Sequence, residues 1–434
     1  MKTPQTVASN ERVLLVGVGL KRPSRATGLG AGEYERERLE ELGELARSAG
    51  AEVAATIVQM REGLDPATLV GRGKLDEIRA EALTHRAPVV IFDRNLSPGQ
   101  QRNIEKSLDC RVLDRTQLIL DIFARHARTR EGMLQVELAQ LNYMLPRLSG
   151  KGVELSRLGG GIGTRGPGEQ KLETDRRRIR GRITHVRDEI ELVRSRRRVQ
   201  RSARRDVPLP AAALVGYTNA GKSTLFNALT HAAVLTSSRM FATLDPTVRA
   251  VELPSGHRAL LSDTVGFIRD LPPGLIAAFR ATLEEAEEAA LILHVTDVSS
   301  PHHTEQDAEV VKILADLGLA DRPRLHVYNK CDKLPADELA AFANGAGVSV
   351  SALRGTGLEE LLARIDAALP AEGFVRLQIE LPLEDGRTLA LLHERGRVFA
   401  SEVRDSRLWV DAEVPQSLAG QLPPHSLHRQ REGA

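Results

Sequence analysis

The sequence contains few cysteines and few aromatic residues. Of its 434 residues only Cys110 and Cys331 are cysteines, and aromatic residues make up 3%. Two cysteines cannot build a disulfide framework, which indicates a reducing compartment. The low aromatic content argues against a surface that binds nucleic acid by stacking on bases. Any contact with RNA would therefore be made mainly by arginine and lysine side chains with phosphates.

Long apolar runs and a strong net charge are also missing. The longest apolar runs, such as residues 289–295, are well short of the roughly 18–20 residues that a membrane span needs. The N-terminal segment lacks the apolar core of a signal peptide. The net charge of +2 produces no overall field that would attract polyanions. These absences predict a cytoplasmic protein without a membrane span, which we expect to be a monomer.

Residues 1–115 alternate apolar runs with amphipathic stretches. This alternation is typical of a small α/β domain with a parallel sheet. A further helix is expected to begin at Pro98, with Ser97 as its N-cap. Strands are predicted at 12–20, 51–59 and 87–93, and helices at 33–50 and 73–86.

Residues 116–206 have no strand pattern and predict a basic helical hairpin. Helical periods at 131–148 and 169–205 flank a glycine-rich loop at 150–168. Between Arg176 and Arg205 there are thirteen arginines against three acidic residues. Apolar residues recur along both predicted helices and should form their contact: Met133, Val136, Leu138, Leu141, Met144 and Leu145 in the first, and Leu172, Ile179, Ile183, Val186, Ile190, Val193 and Val199 in the second.

Two further units follow the hairpin. Residues 207–371 predict a second α/β domain with a mainly parallel sheet. Residues 372–434 predict a small C-terminal α/β unit that ends in a disordered tail from Pro423. Its strands are expected at 374–382, 397–403 and 408–414. The fold class is therefore multidomain α/β.

The strongest chemical motif is GYTNAGKST, which lies between a predicted strand and a predicted helix. Gly216, Gly221, Lys222 and Ser223 fit the P-loop pattern. Such glycines let the backbone N–H groups surround phosphates, while the helix N-terminus adds positive potential. Lys222 is expected to reach the β- and γ-phosphates, and Ser223 to ligate Mg²⁺.

A second motif selects the base. Asn329, Lys330 and Asp332 form NKxD after an apolar strand. A carboxylate at Asp332 can accept from both N1–H and the exocyclic amine of guanine, and adenine lacks that donor pair. Asn329 is expected to face the O6/N7 edge, and Lys330 to pack along the base. The motif therefore predicts GTP rather than ATP.

Other segments complete the predicted pocket. Asp263 ends a strand and should orient the Mg²⁺ shell, while the N–H of Gly266 should meet the γ-phosphate. Thr243 is the expected second side-chain ligand of Mg²⁺, and the backbone at Ser351 should contact guanine O6. Lys222, Thr243 and Gly266 are the predicted catalytic residues. The remaining predicted nucleotide contacts are Tyr217, Thr218, Asn219, Ala220, Thr224, Phe241, Ala242, Leu244, Asp245, Thr264, Val265, Ala352 and Leu353.

Four stretches together resemble the HflX family: GRGKLDEI at 71–78, the segment at 159–177, GYTNAGKSTLFNAL and FATLDPT. The resemblance runs from about residue 11 to 370. It implies a Mg²⁺-dependent GTPase that binds the 50S large ribosomal subunit and splits stalled 70S ribosomes, hydrolysing GTP to GDP and phosphate. Phe267 stands where many GTPases carry a catalytic glutamine. We therefore expect slow intrinsic hydrolysis that the ribosome stimulates.

The glycine-rich loop has two interpretations. It either connects the two helices without a further role, or it is a slender tip that enters a narrow, RNA-lined space. A dinucleotide fingerprint is rejected, because no buried strand precedes it. By the resemblance, the tip points toward the peptidyl-transferase region. The predicted contacts with ribosomal RNA are Gly159, Gly160, Gly161, Gly163, Arg165, Gly166, Arg176, Arg177 and Arg178.

Two rival functions remain. The protein could be a GTP-switched RNA-binding adaptor or ribosome-assembly factor in which hydrolysis is incidental. It could also be an ATP-driven RNA remodeller, which the NKxD motif disfavours. His302 and His303 have no matching cysteine or histidine cluster and are interpreted as solvated loop residues rather than metal ligands.

Overall fold

The computed structural model describes most of the chain. The described residues are 10–21, 31–148, 167–204, 209–232, 240–241, 246–270, 285–343, 347–369, 374–404, 407–419, 422 and 427–429. The strands are β1 Arg12–Leu20, β2 Glu52–Arg61, β3 Val89–Phe92, β4 Arg111–Asp114, β5 Ala211–Gly216, β6 Thr247–Glu252, β7 Arg258–Asp263, β8 Leu291–Asp297, β9 Arg324–Asn329, β10 Val348–Ser349, β11 Phe374–Pro382, β12 Arg397–Arg404, β13 Arg407–Pro415 and β14 Leu427–Arg429. The helices are α1 Ala31–Ser48, α2 Arg72–Thr84, α3 Pro98–Leu108, α4 Arg115–His126, α5 Arg130–Arg147, α6 Pro167–Arg204, α7 Lys222–Thr230, α8 His303–Asp316, α9 Ala336–Ala343, α10 Leu358–Ala368, α11 Gly386–Arg395 and α12 Gln416–Ala419.

The N-terminal sheet has the order β2-β1-β3-β4, and all its strand pairs are parallel. This confirms the predicted α/β architecture. Ser97 caps α3 as expected, because its Oγ accepts from the N–H of Gln100 at 3.2 Å and the Gln100 side chain accepts from the N–H of Ser97 at 2.9 Å. The reciprocal pair satisfies two N–H groups that a helix start would otherwise leave without partners.

Helix α4 was not predicted from the sequence, and it follows β4 without a loop. Asp114 ends β4 and caps α4, since its Oδ1 accepts from the N–H of Gln117 at 2.8 Å. Ile119, Ile122 and Phe123 on this helix are fully buried in the N-terminal core. The boundary that the sequence predicts at residue 115 therefore falls at the first residue of a helix that packs into this core.

Helices α5 and α6 form the antiparallel hairpin that the sequence predicts. Arg182 fixes the register of the two helices, because its guanidinium donates to both carboxylate oxygens of Glu137 at 2.7 and 2.8 Å. Val186 and Ile190 pack with Leu134 in a small apolar cluster. Leu134 was not in the predicted seam, whereas the predicted Met133 is 45% exposed. Residues 150–166 of the glycine-rich loop lie outside the described residues, whereas Pro167 and Gly168, predicted to be in the loop, begin α6.

The second α/β domain has a six-stranded sheet in the order β10-β9-β8-β5-β7-β6. Every neighbouring pair is parallel except β6 and β7, which form an antiparallel hairpin. Gly256 closes their turn with a φ of 81°, and its N–H donates to the carbonyl of Leu253. The predicted mainly parallel sheet is confirmed. Within the described ranges, no helix is both long and apolar enough to cross a membrane.

The C-terminal unit is a four-stranded antiparallel sheet in the order β12-β13-β11-β14, accompanied by α11 and α12. Its first three strands match the predicted ranges to within a residue. The prediction of a disordered tail is wrong for residues 427–429. These residues form β14 and pair with β11, because the edge of β11 that faces away from β13 is free for hydrogen bonding.

Replacing Arg115 should destabilise the N-terminal domain strongly. Its side chain is 2% exposed and forms ion pairs with Asp93 and Glu41. Arg115→Met leaves Glu41 without its cation and Asp93 with Arg38 alone, so we expect a loss of about 3–5 kcal/mol. The measurement is the free energy of unfolding of the N-terminal domain by chemical denaturation. Arg130→Ala, which breaks the exposed pair with Glu189, is the control and should cost at most about 1 kcal/mol. Equal losses in the two variants would contradict the assignment.

Candidate functional site

Two glycines allow the loop between β5 and α7 to take its shape. Gly221 lies before α7 with a φ of 90°, in the left-handed region that side chains avoid. A Cβ there would lie 2.3 Å from Nδ2 of Asn329. At Gly216 a Cβ would lie 2.2 Å from the backbone oxygen of Val295. The glycines of the P-loop pattern are therefore required by close contact with β8 and with the residue that ends β9.

Lys222 is the cation at the centre of this loop. Its Nζ donates to the backbone oxygens of Gly216 at 3.1 Å and Tyr217 at 2.8 Å, and its side chain is buried. Burial lowers the pKa of Lys222 to about 8, an effect that the charge of Asp263 partly opposes. A Cβ on Gly266 would lie 3.0 Å from this Nζ. The amine thus lies between the P-loop backbone and the segment after β7, where the sequence places the γ-phosphate.

Ser223 and Asp263 lie together at the edge of the same pocket. Ser223 Oγ donates to Asp263 Oδ2 at 2.6 Å, and Asp263 is fully buried at the end of β7. Among the described residues, no group of three or more His, Cys, Asp or Glu side chains could hold a metal ion. A hydroxyl next to a carboxylate fits Mg²⁺ that takes its other ligands from phosphates and water. The donor set therefore fits the predicted cation.

The segment after β7 is joined to the P-loop by backbone hydrogen bonds. The N–H of Phe267 donates to the carbonyl of Gly216 at 3.1 Å, and the N–H of Thr218 donates to the carbonyl of Phe267 at 2.7 Å. The Phe267 side chain is 4% exposed and lies in the hydrophobic core. Because an apolar side chain in the core cannot orient water, the structure gives Phe267 no part in the chemistry.

Asp332 has the charge and exposure that base recognition needs. It lies in a 3₁₀ turn after β9, and its Oδ1 accepts from Ser351 Oγ at 2.7 Å. This hydrogen bond is the main reason that the pKa of Asp332 lies below its usual range, and Arg354, 3.6 Å away, adds to it. The carboxylate is therefore ionised at neutral pH and can accept two hydrogen bonds from a base.

Asn329, which is expected to face the O6/N7 edge of guanine, also forms hydrogen bonds within the protein. It is buried, its Nδ2 donates to the carbonyl of Ala220 at 2.8 Å, and its Oδ1 accepts from the N–H of Ala352 at 3.0 Å. The amide therefore ties the P-loop to the loop after β10. The O6/N7 edge of guanine presents only acceptors, so the second N–H of Asn329 is the group that can serve it.

The loop after β10 shows a related difference. The N–H of Ala352 donates to Asn329, and the N–H of Ser351 donates to the carbonyl of Thr356 at 3.0 Å. Both N–H groups therefore have protein partners, and the contact of this backbone with guanine O6 stays a prediction. Leu353 is 82% exposed.

Lys330 crosses above the P-loop in a left-handed backbone conformation, with a φ of 64°. Its Nζ donates to the carbonyl of Asn219 at 2.7 Å and to Asp297 Oδ2 at 2.6 Å. From this position we expect the lysine stem to pack along the base. Sequence reasoning missed Asp297, although its position at the carboxyl end of β8 is where ligand-binding residues occur in such sheets.

Several other predicted pocket residues have partners within the protein or lie outside the described residues. Thr264 Oγ1 donates to the carbonyl of Leu214 at 2.6 Å and so supports the turn rather than the ligand. Phe241 is buried against Phe123, with ring centroids 4.5 Å apart. The predicted loop residues Ala242, Thr243, Leu244 and Asp245 lie outside the described residues.

Comparison with known proteins gives consistent matches along the chain. Three family models match in order: "GTP-binding GTPase N-terminal" at residues 36–124, "GTP-binding GTPase Middle Region" at 126–204, and "50S ribosome-binding GTPase" at 211–330. A solved GTP-binding protein from Sulfolobus solfataricus, in complex with GDP, is 24% identical with a TM-score of 0.44. That match covers 82% of this chain and 98% of the other.

Curated relatives are much more similar. GTPase HflX of Caldanaerobacter subterraneus is 48% identical over 380 residues, 88% of each chain. GTPase HflX of Escherichia coli is 41% identical over 395 residues, 90% of this chain and 91% of the relative. The identity extends over the N-terminal domain, the hairpin and the P-loop domain together. The chain belongs to the HflX family of GTPases.

Proposed function

We propose that the protein binds the 50S ribosomal subunit and splits stalled 70S ribosomes, with GTP as the switch. The observation that supports this best is the joining of a guanine-selective P-loop pocket to an arginine-rich helical hairpin. Nucleotide state would decide whether the ribosome-binding form is populated, and hydrolysis would release the protein. The adaptor alternative would bind the same particle without separating its subunits.

The pocket residues have distinct parts in GTP hydrolysis. Lys222 and the P-loop N–H groups stabilise negative charge as water attacks the γ-phosphate in line. Gly266 would donate its N–H to that phosphate. Mg²⁺ supplies further charge neutralisation when bound, and Ser223 and Thr243 would hold it, with Asp263 next to Ser223. No described side chain replaces the missing glutamine at Phe267, so we infer that the ribosome completes the site.

The exposed arginines of α6 support binding to ribosomal RNA. Arg182 and Arg194 have acidic partners within the hairpin. Arg177, Arg178 and Arg187 are exposed and form no ion pair with another described residue. Uncompensated arginines on one helix repel each other. Phosphates would relieve that repulsion, and the arginines would in turn release the counterions condensed on the RNA.

Charge reversal on α6 should weaken ribosome binding. In Arg177→Glu/Arg178→Glu, two expected phosphate contacts become repulsive, so we predict at least a roughly tenfold weaker affinity for 70S particles. Cosedimentation with a GTP analogue and with GDP measures binding, and gradient profiles measure splitting. Arg72→Glu/Arg79→Glu on α2 changes the net charge equally and should bind normally.

Each outcome of that experiment has a clear meaning. Loss of binding and splitting only in the α6 variant supports the proposal. Normal splitting by the α6 variant would contradict a role for the hairpin. A wild-type protein that binds with GTP analogue but leaves 70S intact would support the adaptor function instead.

Asp332→Asn should reduce guanine selectivity. The variant loses the ionised acceptor for two base N–H donors, so GDP affinity should fall about 100-fold, which corresponds to a charged hydrogen-bond contribution of up to about 3 kcal/mol. Xanthosine diphosphate should gain, because an amide N–H can donate to its C2 carbonyl. Titration calorimetry with both nucleotides measures the change. Arg354→Ala is the control and should leave selectivity within about twofold; unchanged GDP affinity in Asp332→Asn would contradict the assignment.

GTP binding should take up a proton in mildly alkaline solution. The pKa of Lys222 is about 8 in the protein, and adjacent phosphates must raise it. Binding is therefore strongest below pH 8, where the amine is already charged. It should weaken as pH rises through 8, by at most about tenfold per pH unit.

Calorimetry in buffers of different ionisation enthalpy measures this proton uptake. Lys222→Met is the control, because this variant has no amine at position 222 while the guanine base of the nucleotide still titrates. The same pH dependence in both proteins would show that Lys222 is not the titrating group.

A further inference from the structure

Tyr217 is a P-loop residue whose side chain leaves the nucleotide pocket. It follows Gly216 directly, and its carbonyl accepts from Lys222 Nζ. Its ring is 4% exposed. Its hydroxyl donates to Glu41 Oε2 at 2.9 Å and accepts from the N–H of Arg269 at 3.0 Å. One phenol thus contacts the P-loop domain on one side and helix α1 of the N-terminal domain on the other.

Glu41 is held in place from within the N-terminal domain. Its other carboxylate oxygen accepts from the guanidinium of Arg115, which also donates to Asp93 Oδ1 at 2.9 Å. Arg115 is 2% exposed, so the charges are shielded from water and their attraction is strong. Burial and the charge of Glu41 raise the pKa of Tyr217 well above its usual range. The phenol therefore remains protonated and donates to the carboxylate.

Arg269 lies three residues after Gly266, in the segment whose Gly266 N–H is expected to contact the γ-phosphate. Backbone hydrogen bonds anchor this segment at Phe267, and the Tyr217 hydroxyl anchors it at Arg269. Its side chains contact the same helix of the N-terminal domain: Arg269 lies 2.7 Å from Glu37, and Asp270 accepts from Arg38 at 2.8 Å. These pairs use side chains only, and the backbone N–H of Arg269 donates to Tyr217.

The crowding around Gly266 makes this anchor matter for chemistry. A Cβ on Gly266 would lie 2.8 Å from Thr218 Cα and 3.0 Å from Lys222 Nζ. A small displacement of the segment therefore changes the distance between the Gly266 N–H and the expected γ-phosphate. Misplacement of a transition-state donor by about 1 Å can cost up to about 100-fold in rate.

We propose that Tyr217 is a positioning residue for GTP hydrolysis, and that Glu41 of the N-terminal domain orients its hydroxyl. The phenol acts through Gly266 and touches neither the base nor the phosphates. The N-terminal domain thereby contributes directly to the rate of hydrolysis in the P-loop domain. The inference rests on the proposed GTP hydrolysis but is separate from ribosome binding.

Tyr217→Phe tests this role with a single-atom change. The variant retains the ring and the backbone carbonyl that accepts from Lys222, but it loses the anchor at Arg269. We expect kcat for GTP to fall about fivefold to tenfold, while KM and the Kd for GDP stay within about twofold. A residue with only a structural role would lower the melting temperature without this split. Tyr143→Phe, which removes a partly buried hydroxyl that donates to Gln117, is the matched control and should leave kcat unchanged.

Glu41→Gln provides a second variant. It retains the side-chain size and one oxygen acceptor, so kcat should fall less than in Tyr217→Phe. The two effects should be non-additive in the double variant, because both act through the same Tyr217 hydroxyl.

The outcomes separate this inference from the proposed function. A kcat in Tyr217→Phe equal to that of a GTP-hydrolysing wild type overturns the inference alone. A wild type that hydrolyses no GTP, with or without ribosomes, overturns the proposed function. Should Tyr217→Phe fail to fold, Glu41→Gln decides the question: a kcat equal to wild type overturns the inference.

Discussion

The buried guanidinium of Arg115 is the interaction on which the arrangement of the domains depends. A cation without water needs acceptors, and two are supplied by Asp93, directly after β3, and by Glu41 on α1. Glu41 then has a fixed position from which it reaches Tyr217 in the P-loop. The charge requirement of one buried residue therefore places the N-terminal domain next to the nucleotide pocket.

The residue before Arg115 connects the same point to the hairpin. Asp114 Oδ2 accepts from Arg147 at 3.1 Å, near the end of α5, where the glycine-rich loop begins. Arg147 also donates to the carbonyl of Leu96 and stacks on Tyr143. At the start of α4, Asp114 thus contacts Arg147 at the base of the expected RNA-binding tip. The adjacent Arg115 reaches the P-loop through Glu41. This continuity is a physical route from the γ-phosphate site to the hairpin.

Much of the fold could be predicted because its signals are local. The strand at 12–20, the capped start of α3 and the P-loop each follow from neighbouring residues. The contact between Tyr217 and Glu41 could not be predicted, because the two residues are 176 positions apart and nothing near either one indicates the other. The sequence suggests that His302 is solvated, but it lies 3.2 Å from Glu37. This contact could not be predicted for the same reason, since the two residues are far apart in the sequence. The protein partners of Asn329 could not be predicted either, because they come from two loops that are distant in the sequence.

Amide hydrogen exchange of the free protein tests the central claim most directly. The claim is that nucleotide state is transmitted from the P-loop domain through α1 and α4 to the hairpin. With a GTP analogue in place of GDP, we predict changed exchange at 262–270, in α1 and at the loop end of α5 together. Changes confined to the nucleotide pocket, with α1 and α5 exchanging identically in both states, would contradict the account.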